Sequence, residues 1–309
     1  MMCIKERNAS DSTCKKLLRD KGCFADLCNY AFFQGRQVIK PEELVSREND
    51  LSTLIGKVDK PTEIKRYRDV VRKASIHGEY VIIGVEHQST FDEKMIFRIL
   101  NYDATIYINQ VESKQEVYPV GSFVFYTGDK EWKSPETLKE TLKNIPPEME
   151  PYINDWRLPV VELKTMDARK LANQRLKEVV EISQSMFAGN YDELSENRKI
   201  ETESFMMAAI FTRTKIKRED LPEGDEINMC EAMDRLFQRF ENQGMEKGKI
   251  IGFEKGKSDT LKEQLKVKLG TLSRPLEKQL TNTSLEKLNE LTLNIFNVTN
   301  EDDVLRIIN

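Results

Sequence analysis

The stretch from Arg66 to Tyr107, RYRDVVRKASIHGEYVIIGVEHQSTFDEKMIFRILNYDATIY, constrains the fold of this chain more than any other. Two apolar runs flank His77-Gly78, and an amphipathic segment follows. A two-residue turn at His77-Gly78 predicts an antiparallel hairpin, because Gly supplies the positive φ such turns need. Partners then sit symmetrically about the turn, so Asp69 faces Glu86 and Tyr67 faces Gln88. Side chains alternate along a strand, so Glu86 and Gln88 share one face and His87 takes the other. Two carboxylates directly opposite each other repel. Their placement calls for a proton or a hard cation between them, and Mg²⁺ takes one or two carboxylates plus water and phosphate oxygens. A longer turn would shift the register, and a shift of one residue would send the two acids to opposite faces.

The 309 residues suffice for one sizeable domain and a smaller one. With 39% hydrophobic and 32% charged residues, the composition is that of a soluble chain rich in surface helix. The net charge of −4 does not mark the whole chain as a nucleic-acid binder, but the local distribution is uneven. Lys57, Lys60, Lys65, Arg66, Arg68, Arg72 and Lys73 stand against Asp59, Glu63 and Asp69. Two readings fit this basic flank: a surface for a phosphate backbone, and a solvated strand edge whose cations deter aggregation. The five cysteines form no CxxC pair and there are two histidines, which argues against a zinc site. An odd cysteine count without a regular framework points to reduced thiols and a cytoplasmic location. The opening MMCIKERNASDSTCKK lacks an apolar signal core, and no run of about 18 apolar residues predicts a membrane span.

Residues 1–15 read as a flexible N-terminus. Helical spacing predicts a helical region over Cys14 to Phe33, interrupted at Gly22, with Asp26 either an extra acid near the site or an exposed helix residue. Asp92 is placed to cap a helix over 93–110, whose apolar face is Met95, Ile96, Ile99, Leu100, Ala104 and Tyr107. Arg98 and Tyr102 lie four apart, on one stripe of that helix. They fit a packing pair and, beside a metal site, a phosphate-gripping arginine. Val117 to Gly128 and Arg157 to Leu163 read as further strands. From Asp167 onward the pattern is helical, over 167–188, 194–214 and 226–268. Gly244, Gly248, Gly252 and Gly256 recur every fourth residue, which fits a helix that self-associates through a small-residue stripe and equally an irregular linker. The last segment, from Leu261, repeats Leu and Ile positions as a small helical module would.

A strand-borne Asp, then a second strand ending in Glu-x-Gln, then a helix, is close to the D…ExK arrangement of PD-(D/E)XK nucleases. Three runs carry a more specific likeness: Asp69-Val70-Val71, Tyr80 to Thr90 (YVIIGVEHQST), and Met95 to Tyr102 (MIFRILNY). Together with Phe24 to Leu27, Gly35 to Leu44, and Phe123 to Gly128 with Trp132, they resemble the recombination-promoting nuclease, or YhgA-like transposase, family over roughly residues 17–165. The resemblance implies an α/β fold with a restriction-endonuclease-like core, a central mixed sheet flanked by helices, and a C-terminal all-helical region. It divides the chain into a nuclease-like domain over 16–165 and a helical region over 166–309 that contains the Gly-spaced helix 244–256. It further implies a metal-dependent DNA endonuclease linked to recombination or transposon-like elements, with Mg²⁺ as cofactor and Mn²⁺ as its substitute. Asp69 and Glu86 would hold the metal. Gln88 would stand where the wider superfamily has Lys, and an amide orients water but neither carries charge nor acts as a base. Arg98 is the first candidate for the missing charge and Arg68 the second. Tyr102, Lys65 and Arg66 complete the expected DNA- and phosphate-binding set. The competing readings are a DNA-binding or assembly protein on an inactive nuclease fold, and a homo-oligomer assembled through the C-terminal helices.

Overall fold

The structure, a computed structural model, describes residues 4–45, 70–114, 116–194 and 197–308. Its central sheet starts from the hairpin of β1 (Val70–Ile76) and β2 (Glu79–Gln88). The strands pair antiparallel from Val70↔Val85 to Ile76↔Glu79, around a turn at His77-Gly78. His77 has φ 53° and Gly78 φ 89°. Positive φ at both central residues is the two-residue geometry whose twist matches that of the flanking strands. A Cβ at Gly78 would meet nothing, so the glycine serves backbone conformation alone.

Two more strands extend this sheet in the order β1-β2-β3-β4. β3 (Val120–Tyr126) runs parallel to β2, and β4 (Val160–Glu162) parallel to β3. A parallel neighbour requires a crossover, and the helix α3 (Met95–Glu112) supplies it between β2 and β3. The protein is thus α/β, a mixed four-stranded sheet with helices against it.

The two faces of the sheet are covered differently. Ile83, Val85, Phe123, Phe125 and Val161 pack on α1 (Ile4–Arg19) and α2 (Lys21–Phe33). The same core takes in α5 (Gln174–Ala188) and α6 (Thr202–Thr212), through Leu176, Val179, Val180, Met207 and Phe211; a short helix, α4 (Leu138–Thr141), precedes them in sequence. On the other face Val124 and Tyr126 pack with Met95, Ile96 and Ile99 of α3 and with Trp132 and Leu158. Covered on both sides, the far end of β2 is buried from Ile82 to Gln88, which explains its near-continuous apolar run.

Several expectations are corrected. Residues from Ile4 onward form α1 rather than a flexible terminus, and Cys14, Leu17 and Leu18 bury its inner side. The break between α1 and α2 falls at Asp20, which caps α2 by accepting from the Cys23 N–H at 2.8 Å, while Gly22 lies inside α2. Asp26 is neither exposed nor a partner of the β2 acids. It is buried, and it accepts from Gln37 Nε2 at 2.8 Å and from the Ala172 and Asn173 N–H groups at 2.9 Å each. That tie fixes α2 against the entry of α5, where Asn173 is itself the N-cap. Ala104 is exposed, and the helical face of α3 that points inward carries Asp103 and Gln110 instead. Strands do not end at residue 167: β5 (Lys199–Glu201) and β6 (Glu226–Asn228) form an antiparallel ribbon. Three residues per strand are too few to show a period.

The chain divides into two compact units, Met1–Asp234 and Arg235–Asn309, later than the division expected after residue 165. The reason is that α5 and α6 belong to the core beneath the sheet. The long helix α7 (Met229–Leu269) spans the division. Gly244, Gly248, Gly252 and Gly256 lie within it, so the stretch is helix and not an irregular linker; a Cβ on any of them would meet nothing within 4 Å. In the second unit, Leu261 and Leu265 of α7 share a core with α8 (Arg274–Thr281), α9 (Leu285–Asn294) and α10 (Glu301–Ile308). That core includes Leu276, Leu280, Leu288, Leu291, Val304 and Ile308, in line with the repeating apolar positions expected of a small helical module. Among the described residues no helix is long and apolar enough to cross a membrane.

Candidate active site

Glu86 and Gln88 end β2, two residues apart, and both are 4% exposed. Their strand partners on β3 are Val124 and Tyr126, both in the cluster packed on α3, which puts the acid and the amide on the α3 side of the sheet. The carboxyl ends of β2, β3 and β4 lie side by side there, as Gln88↔Tyr126 and Tyr126↔Glu162. In open α/β sheets, ligands bind outside these carboxyl ends.

Burying a carboxylate is unfavourable unless a charge and hydrogen bonds compensate. Arg98, one turn into α3, provides the compensation. Its Nη2 donates to Glu86 Oε1 at 2.7 Å and its Nη1 to Asp92 Oδ2 at 2.9 Å. Gln88 Nε2 donates to the same Glu86 oxygen at 3.3 Å. Burial opposes the charge on Arg98, but the Tyr102 hydrogen bond and the Asp92 and Glu86 carboxylates outweigh it and raise its pKa further. The guanidinium therefore stays charged at every accessible pH, which the amide of Gln88 cannot do.

Asp92 is not the helix cap expected of it: the N-cap of α3 is Lys94, with no side-chain cap bond. Asp92 Oδ1 accepts from the Lys94 N–H at 3.0 Å in the turn before the helix while Oδ2 holds Arg98, so the carboxylate braces that turn and aims the arginine. Sequence spacing revealed neither role. Two further residues went unnoticed, Tyr126 and Glu162. Burial raises the Tyr126 pKa, with Asp129 and Glu162 adding to it. Glu162 accepts from the Trp132 N–H at 3.2 Å. Gly128 allows the chain to fold back over Tyr126, since a Cβ there would collide with the phenol oxygen.

His87 points to the other face, as strand alternation requires. Its Nδ1 meets Asp11 Oδ1 at 2.8 Å, and its Nε2 lies 2.9 Å from Thr127 Oγ1 and 3.4 Å from Ser10 Oγ. The Phe125 and Phe211 rings pack beside it. The imidazole side chain is fully buried, so this carboxylate–histidine–hydroxyl array joins α1 to β2 and β3.

The structure thus brings Glu86, Gln88, Arg98 and Tyr102 together. Asp69, Arg68, Arg66 and Lys65 lie outside the described residues, as does most of the basic flank. The donors on this face are carboxylate and amide oxygens, hard ligands of the kind Mg²⁺ and Mn²⁺ take. Among the described residues no group of three or more His, Cys, Asp or Glu could hold a metal ion.

Residues 62–209 match the model of a family described as "Putative transposase, YhgA-like". The matched span contains Asp69, Glu86, Gln88 and Arg98 and stops short of α7 and the C-terminal helices. No curated protein and no solved structure matches the chain.

Proposed function

We propose, from the YhgA-like transposase segment over residues 62–209, that the chain is a metal-dependent DNA endonuclease serving recombination or transposon-like elements. The observation that carries this reading is the buried Glu86–Gln88 pair at the carboxyl end of β2, with Arg98 bonded to its acid. Asp69 is the second metal-binding carboxylate of the proposal, on the sequence pattern that precedes β1. A Mg²⁺ held by the two would polarise the scissile phosphate and acidify a bound water.

The protein's own groups then have separate tasks. Arg98 compensates the buried Glu86 carboxylate, and its partly exposed fork could also grip a phosphate oxygen. Asp92 and Tyr102 hold the guanidinium in place. Gln88 restrains the Glu86 carboxylate through Nε2 and can orient a water, without serving as the base. Arg68, Arg66 and Lys65 would add phosphate contacts ahead of β1.

One observation favours a second reading, a DNA-binding or assembly protein without cleavage. Glu86 is neutralised by Arg98, and the residue in the lysine position is an uncharged amide. Plasmid nicking with and without Mg²⁺ separates the two. The endonuclease reading expects nicking that is lost in Asp69→Ala and in Glu86→Ala, with circular dichroism unchanged. Cleavage that persists in both variants would contradict the site assignment. Salt-dependent DNA binding without nicking by the wild type would establish the second reading.

A further inference from the structure

Phe91 follows Gln88 by three residues and precedes Asp92, yet its side chain is 43% exposed. Single exposed aromatics are common on protein surfaces, so exposure alone says little. The setting of this one is unusual. The Phe91 ring meets Trp132 edge-on, with centroids 5.3 Å apart at 74°, and Trp132 meets Tyr126 in the same manner at 5.1 Å and 68°. Tyr126 is the strand partner of Gln88. An aromatic stack therefore runs from the sheet beside Gln88 out to solvent and ends on Phe91. On its other side Phe91 adjoins Asp92, which reaches Glu86 through Arg98.

The backbone on either side of this ring is anchored. Arg213 Nη2 donates to Ser89 O at 2.8 Å, and Asp92 Oδ1 holds the Lys94 N–H. The exposed position is thus pre-organised. The charges around it alternate in sign: Glu93 beside Lys94, and Asp129, Lys130, Glu131 and Lys133 around Trp132, all exposed. Such a patch has little net field with which to track a phosphate backbone, and it offers an apolar ring instead.

We propose that Phe91, backed by Trp132, is a stacking platform for an unpaired nucleobase beside the Glu86 site. The favoured substrate is then DNA carrying an unpaired base, such as a single strand, a gap or a mismatch. This rests on the DNA-processing reading given above. Stacking on an aromatic side chain is insensitive to base identity, because every base has a π-face. It needs a base outside the duplex stack, because paired bases present only their edges.

The test is fluorescence anisotropy of the full chain with Ca²⁺ in place of Mg²⁺, on a single-stranded oligonucleotide, a mismatched duplex and a fully paired duplex of the same length. Phe91→Ala is expected to weaken binding to the first two about tenfold and to leave the paired duplex within about twofold. Phe91→Trp should bind like the wild type, and Tyr152→Ala, which removes an aromatic 77% exposed elsewhere, should change nothing. The salt slope of Phe91→Ala should equal that of the wild type, since no phosphate contact is lost. A 2-aminopurine at the unpaired position should be quenched by the wild type and not by Phe91→Ala. Equal weakening on all three DNAs, a reduced salt slope, or no change at all would overturn the platform while leaving DNA binding intact. Failure of the wild type to bind any of the DNAs at low salt would instead overturn the DNA reading on which it rests.

Discussion

Glu86 and His87 are neighbours on one strand, equally buried, and they live in different chemistry. Glu86 faces α3, and its charge is met by an arginine whose side chain is one-third exposed. His87 faces α1, and its ring is closed in by Asp11, Thr127 and two phenylalanines. Exposure of the partner does not separate them, since the side chains of Asp11 and Arg98 are each 34% exposed. The α3 face instead gathers an acid, an amide and a guanidinium, groups that can meet a cation and a phosphate. The α1 face gathers hydroxyls and aromatic rings around the imidazole and joins three elements of the core. Burial of a titratable group is therefore not what marks the site; the chemistry gathered around it is.

The largest stability effect expected on this comparison comes from His87→Ala. It leaves a cavity and an unpaired Thr127 hydroxyl, a loss of about 3 kcal/mol in urea unfolding. Nicking per folded molecule should stay near wild type. Arg98→Ala should cost about 2 kcal/mol, since it strands the buried Glu86 carboxylate while its own partner Asp92 rehydrates. It should also raise the concentration of DNA needed for half-maximal rate. Arg98→Lys keeps the charge but cannot hold both carboxylates in a fork, so it should recover less than half of that loss. Gln88→Ala should slow nicking about tenfold with little change in stability, the size expected of an orienting group and well below that of a general base.

The smallest effect belongs to the second unit. Its Glu277, Glu301 and Asp303 have pKa values held low, respectively by Lys266, by the Ser273 hydroxyl and N–H, and by the Thr299 N–H and hydroxyl. A carboxyl group whose folded pKa lies below its unfolded value stabilises the fold above the unfolded value, about 4. That contribution disappears as pH falls through the folded values. Thermal unfolding of the full chain between pH 6 and pH 3 should therefore show the helical unit weakening on acidification. The combined Glu277→Gln, Glu301→Gln, Asp303→Asn variant should flatten that dependence.

The hairpin was legible in the sequence because one dipeptide, His77-Gly78, sets both turn and register, and the facing strands then follow by alternation. Arg98 was legible because helical spacing put it near the start of a helix that follows Glu86 directly. The C-terminal core was legible from its repeated leucines. Asp26 was not, because its partners at 172 and 173 are far away in sequence and are backbone groups, which carry no residue signature. The domain division was missed for a related reason. An end to strand periodicity does not show whether the helices that follow cover the same sheet. Asp92 was misread as a cap: it lies two residues before the N-cap Lys94, and its ion pair with Arg98 depends on how the first turn of α3 sits over the loop.

On this reading the α3 face of β2 is reactive and the α1 face is structural. The most direct measurement is Mg²⁺-dependent nicking of supercoiled plasmid by Glu86→Gln and His87→Asn side by side, normalised to folded protein. Glu86→Gln is expected to lose at least about 10³-fold, the scale set by losing charge stabilisation at a reacting phosphate, while His87→Asn should nick near normally. Full activity in Glu86→Gln together with loss in His87→Asn would contradict it.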